Sequence, residues 1–216
     1  TPGLPELTVG HRYDKKKKGT IITVEQTQDT SVSSIFRLPF SVLIDDGTVN
    51  RYKENLIKTK QEFFFPSKEP FMVVFDEGFQ IPKFMKHKKS DRELTYQLLH
   101  APNVNDRVWA AEEMGKKKTG NKNVKALFHA MKSDEFWGVR KEAAAALSKL
   151  RVRGKELQLI NIYQNEQDER VKSEIINLFR GAKGKSAPEF LRDIILYEPN
   201  DYLVHSAVNS LAKTNE

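Results

Sequence analysis

The stretch S133-D-E-F-W-G-V-R-K-E-A-A-A-A-L-S-K-L150 decides how the chain is read. A capping residue opens the segment, a run of small residues supplies one face, and a leucine follows. From the register of Ala143 and Leu147, a step back of 33 residues lands on Ala110 and Met114. A step forward of 32 lands on Ile175 and Phe179, and another 32 on Ala207 and Leu211. Sixteen residues upstream of these sit partner pairs four apart: Leu94 and Leu98, Leu127 and Met131, Leu159 and Tyr163, Leu191 and Ile195. Eight apolar helix faces in fixed register predict four helical hairpins, and such hairpins bury those faces only by stacking. Pro102 and Pro199 interrupt the chain between paired helices, and Pro188 occupies a first turn. Asp106, Asp134, Asp168 and Asp201 lie at or near the starts of the second helices, where a carboxylate opposes the positive dipole end.

Before residue 90 the grammar changes. Nine of the 13 phenylalanines lie there, in runs such as EFFFP (62–66) and FMVVF (71–75). Strands are expected near 6–13, 20–27, 35–44, 48–57, 60–65, 71–75 and 79–84, with KKKKG and DDG as hairpin turns whose glycines take positive φ. Seven short strands at this spacing predict an antiparallel β-sandwich, with Pro39 marking an edge or a bulge. The fold expected is therefore α+β and multidomain. An Ig-like β-sandwich occupies 1–85, 86–93 form a junction, and 94–216 build an α-solenoid of about four hairpins resembling HEAT repeats.

Composition narrows the function. The chain has 216 residues, 38% hydrophobic and 30% charged, and no apolar run of the length a membrane helix needs. It begins at Thr1 rather than Met, which suggests a processed protein or an excised fragment. Without cysteine there are no disulfides and no thiolate chemistry; cytoplasm or bacterial periplasm both suit. The net charge of +7 is spread thinly: 15 Lys+Arg against 11 Asp+Glu in residues 1–90, and 21 against 18 in 91–216. Its clusters, Lys15–Lys18, Lys86–Lys89 and Lys116–Lys118, fall at expected turns and read as solvated loops. None contains the interleaved aromatics of a nucleic-acid surface, so nucleic acid is not the expected partner.

Motifs for chemistry are missing. His11, His87, His100, His129 and His205 form no HExxH and read as isolated residues rather than metal ligands. GAKGKSAP (181–188) lacks the strand and spacing of a phosphate loop, and Asp45–Asp46–Gly47 reads as a turn rather than a calcium site. What remains are repeat positions. Arg107, Arg140 and Lys172 stand at one position of successive hairpins, where they either meet an acidic ligand or tie hairpins together through the turn carboxylates. Val204 ends the row. Trp109 and Trp137, at the mouths of second helices, are candidates for packing or for ligand stacking.

Several phrases, in order, resemble bacterial zinc aminopeptidases of the aminopeptidase N type. They are GLPELTVGHRYD (3–14), ITVEQTQ (22–28), VVFD (73–76) and LTYQLLHAPNVNDRVWAAEEMG (94–115). In that family a strand ending in a VxFD phrase closes a β-sandwich, and an LxxQLxxAPDVxxRxxAAExLG phrase opens the helical repeats. The resemblance implies that this chain corresponds to the sandwich and helical domains. The zinc-binding HExxH and its partner glutamate would lie upstream, and no catalytic residue carries over. It further implies that the partner is the catalytic domain of the same polypeptide, that peptide substrate is in reach, and that zinc is the parent's cofactor rather than this chain's. The competing expectation is a free-standing HEAT-like scaffold for a protein partner or nucleic acid.

Overall fold

Period-two alternation builds the first half. The computed structural model describes residues 3–31, 33–117, 121–182 and 184–214. Seven strands are present: β1 (Glu6–Asp14), β2 (Gly19–Gln26), β3 (Leu38–Asp45), β4 (Val49–Leu56), β5 (Lys60–Pro66), β6 (Met72–Phe75) and β7 (Phe84–His87). They form a four-stranded sheet in the order β5-β2-β1-β7 and a three-stranded sheet in the order β4-β3-β6. Every second residue points between the sheets, so Leu7, Val9, Ile22, Val24, Phe40, Val42, Ile44, Phe63, Phe65, Val73 and Phe75 make one core. Phe40 meets Phe63 edge-on at 5.0 Å and Phe75 at 4.6 Å. β6 reads MVVF without alternation because both its faces are covered: Met72 and Val74 join Leu43 and Ala101 in a second cluster with Tyr96, against helix α1 (Asp91–His100).

Two local expectations give way to specific contacts. At the β1–β2 turn the left-handed residue is Lys18, with φ 52°, not Gly19. Gly19 is required for space: a Cβ there would stand 2.4 Å from the Phe64 ring and 2.7 Å from the Phe65 carbonyl oxygen. The expected strand over 79–84 is instead a loop, and β7 runs over Phe84–His87, parallel to β1. The chain turns because Asp76, Gly78 and Phe79 all adopt positive φ around a buried ion pair of Asp76 with Lys83. Pro39 lies on the stretch of β3 that β4 pairs but β6 does not reach, so no ladder bond is lost there. At the β3–β4 turn Gly47 has φ 104°, and Asp45 accepts its amide at 3.0 Å.

Seven further helices follow: α2 (Val104–Lys116), α3 (Asn121–Ser133), α4 (Trp137–Lys149), α5 (Glu156–Asn165), α6 (Glu169–Asn177), α7 (Ser186–Tyr197) and α8 (Asp201–Ala212). The chain is thus a β-sandwich followed by a helical solenoid. It divides into two compact units, Thr1–Asp106 and Arg107–Glu216, so α1 belongs with the sandwich. In the second unit α4, α6 and α8 stack in a row. Val139, Ala143, Ala144 and Leu147, then Val171, Ile175 and Ile176, then Leu203 and Ala207 fill the stack. Small residues set the spacing: a Cβ on Gly115 would stand 2.9 Å from the Ala146 Cα. The caps depart from the expected row of aspartates. Asp168 caps α6, but Asn200 rather than Asp201 caps α8, and Asp106 turns instead to the Gly78 amide.

Candidate functional site

The parallel pairing of β1 with β7 sets Val9 opposite His87 and brings together two histidines 76 residues apart. His11 Nδ1 lies 2.9 Å from His87 Nε2, and His11 Nε2 lies 3.2 Å from Glu93 Oε1. The carboxylate can only accept, so His11 Nε2–H donates to it; in the neutral pair His87 Nε2–H then donates to His11 Nδ1. These histidines are therefore not isolated, contrary to the sequence reading. Their pairing rests on strand register, which no short motif encodes.

The network continues inward. Lys89, also expected in a solvated cluster, is buried; its ammonium donates to the Val73 carbonyl and to Gln97 Oε1 and lies 3.7 Å from Glu93. Gln97 Nε2 donates to the Asp106 carbonyl at 2.8 Å. Burial pushes the Lys89 ammonium down to about 8 against the pull of Glu93 and Asp106. Burial likewise pushes the Asp106 carboxyl up to about 6, although the Gly78 amide donates to it. Burial, helped by the Lys89 and His11 charges, holds the His87 imidazole well below the usual range. For Glu93 burial acts upward, but the bond from His11 and the charges of Lys89 and His11 outweigh it and lower the carboxyl.

One end of this network reaches an open cleft of about 420 Å³ lined by His11, Arg12, Glu69, Ser90, Arg92 and Glu93 among others. Two guanidinium groups against two carboxylates give the cleft no net preference for an anion or a cation. Nor do its groups suit the zinc that the family resemblance brings to mind: both His11 nitrogens are spent on His87 and Glu93. Among the described residues no three His, Asp or Glu side chains gather around one point.

In the second unit the repeat row makes ties between hairpins. Arg107 on α2 forks onto Asp134 in the α3–α4 turn, at 2.8 and 3.1 Å. Arg140 on α4 forks onto Glu166 in the α5–α6 turn, at 2.7 and 2.9 Å, and donates also to the carbonyls of Asp134 and Glu135. Lys172 on α6 breaks the pattern. Its ammonium lies 5.1 Å from the centre of the Tyr163 ring, and Tyr163 in turn donates to Glu198, the acid of the α7–α8 turn, at 3.3 Å. The turn acids thus recur at 32-residue intervals, Asp134, Glu166 and Glu198, matched to the basic row. Trp109 is buried. Trp137 is half-buried with the Arg170 guanidinium 3.3 Å over its ring, and Arg170 is itself held by Asp168. Of the lysine cluster at 116–118, Lys116 pairs with Glu112 and Glu113, while Lys118 lies outside the described residues. In GAKGKSAP, Lys183 lies outside them too; the other residues up to Lys185 lie in the connector, and Ser186, Ala187 and Pro188 begin α7.

Residues 92–178 match the family model for HEAT repeats. No curated protein matches. Among solved structures the chain is similar to the crystal structure of Legionella pneumophila aminopeptidase A in complex with aspartic acid, at 14% identity and a TM-score of 0.55. The match covers 99% of this chain and 28% of that one, so this chain spans less than a third of that protein's length. At this identity the likeness concerns the fold: a β-sandwich running into HEAT-like helices.

Proposed function

We propose that this chain is the sandwich-and-solenoid region of a zinc aminopeptidase of the aminopeptidase N type. In this reading it shapes or gates the access of peptides to an active site carried elsewhere in the same polypeptide. The observation that carries the reading is the likeness, over 99% of the chain, to the structure of an aminopeptidase. The motif phrases agree with it in a particular way. Asp76 of VVFD, and Gln97 and Asp106 of the helix-opening phrase, are spent on folding: an ion pair with Lys83, bonds to Lys89 and the Asp106 backbone, and a bond to Gly78. A region whose distinctive polar residues hold its own backbone acts through surfaces rather than through a reactive centre.

The test compares the native protein with a version that ends at residue 106, on aminoacyl-nitroanilides and on long peptides. The expected result is similar turnover of the small substrates and altered length selection among peptides. A native protein without peptidase activity would overturn the proposal. The match of 92–178 to HEAT repeats supports a second reading, a scaffold for a protein partner. A native protein that hydrolyses nothing but retains a partner through the repeats would favour that one.

A further inference from the structure

The second unit separates its charges. Hairpins place the turns within pairs at one edge of the stack and the connectors between pairs at the other. The turns 134–136, 166–168 and 198–200 hold five carboxylates and no Lys or Arg. The connectors 117–120, 150–155 and 178–185 hold eight Lys or Arg and no carboxylate. The last two connectors lie side by side: a Cβ on Gly181 would stand 3.3 Å from an Arg153 guanidinium nitrogen and 3.7 Å from the Lys213 carbonyl oxygen.

Of the turn carboxylates, Asp134, Glu166 and Glu198 take the Arg107, Arg140 and Tyr163 ties, and Asp168 holds Arg170. Five of the connector cations differ: among the described residues Arg151, Arg153, Lys155, Arg180 and Lys185 make no ion pair. Lys155 and Lys185 also occupy the N-cap positions of α5 and α7 without a side-chain cap, adding positive charge to positive helix ends. From Lys155 a groove of about 640 Å³ runs along α3, where Lys125, His129 and Lys132 project at i, i+4 and i+7 over Val124 and Phe128. All four cationic or ionisable side chains are exposed, and among the described residues no carboxylate lines the groove.

We propose that this groove, with the connector edge it meets at Lys155, is a docking surface for an acidic polypeptide segment that carries apolar side chains. Charge complementarity selects the acid. The Val124–Phe128 floor selects a narrow chain that reaches it, and a broad nucleic-acid duplex would ride on the lysine rim and leave that floor unused. The inference is independent of the aminopeptidase reading.

The test uses the full chain and a fluorescein-labelled peptide of repeated Glu-Glu-Leu, followed by anisotropy in low and moderate salt. The expected result is saturable binding that weakens with salt. It falls about tenfold or more in the K125E/K132E/K155E variant and less in K125Q/K132Q/K155Q. The control K15E/K16E/K17E, with the same charge change at the β1–β2 tip, should bind as the parent does, and thermal melts verify that each variant folds. A Gln-for-Glu peptide should not bind, and an Ala-for-Leu peptide should bind more weakly than the original. Equal affinity for the Gln peptide, equal affinity of the reversed variant, or displacement of the peptide by duplex DNA at lower concentration would each overturn the proposal.

Discussion

Replacing Arg140 with Met removes the tie between the second and third hairpins while keeping the aliphatic stem. The Arg140 side chain is 17% exposed and that of Glu166 5%, with two short parallel bonds between them. Breaking a buried pair from one side costs about 3–5 kcal/mol. Here two facts lower the figure: the Arg140 end is partly wet, and Glu166 keeps the Gln167 and Asp168 amides, each at 2.9 Å. The expected loss is about 2–3 kcal/mol, or about 5–10 °C in Tm for a chain of this size. Glu166→Gln leaves a hydrogen-bonding side chain in the turn and should cost less. The double variant should cost less than the sum, with a coupling of about 1–3 kcal/mol in urea titrations.

pH supplies a second readout. Burial raises the Glu166 carboxyl, but the Arg140 bonds and the two amides outweigh it and hold the group below its ordinary value. A depressed carboxyl contributes stability that is present above its unfolded pKa and lost as pH falls through the folded one. The gap between the parent and R140M should therefore narrow in acid. Strict additivity of the two substitutions, or a gap that widens in acid, would refute the idea that these pairs join the hairpins.

Other outcomes follow from the same geometry. Asp106, raised to about 6, favours the folded state while protonated, so its contribution falls as pH rises from about 4 to about 6. D106N keeps an acceptor for the Gly78 amide and should remove that part of the pH dependence, seen in urea midpoints across this range. Lys83→Ala leaves Asp76 buried without its partner and should destabilise the sandwich by about 3–5 kcal/mol. Hydrogen exchange should then accelerate across 72–87. Gly115→Val drives a branched side chain into the Ala146 backbone and should cost about 1–3 kcal/mol or more in thermal melts. Gly115→Ser, smaller, should cost less.

How much was legible depended on whether the signal was local. The four-hairpin register was open to reading because Ala143, Ile175 and Ala207 recur at nearly constant spacing, and stacking demands that recurrence. Strand alternation placed the first six strands within a few residues. The seventh was misplaced because Phe79 and Ile81 imitate alternation, while the backbone obeys the Asp76–Lys83 pair and three positive φ values. The basic row Arg107–Arg140–Lys172 was visible as spacing, and its partners were within reach of reading because each turn carries an acid. The His11–His87–Glu93–Lys89 network was invisible: it needs a parallel pairing of the first and last strands, a contact between distant segments that composition does not announce. KHKK at 86–89 looked like loop charge, yet in β7 and the segment after it the chain buries His87 and Lys89 while exposing Lys86 and Lys88.

The most direct test of the central claim, that this chain works through its surfaces, is hydrolysis of aminoacyl-nitroanilides by the isolated chain saturated with zinc, measured beside the native protein. The account predicts a rate no different from blank for the chain and chelator-sensitive turnover for the native protein. Chelator-sensitive turnover by the chain alone, persisting through repurification, would contradict it.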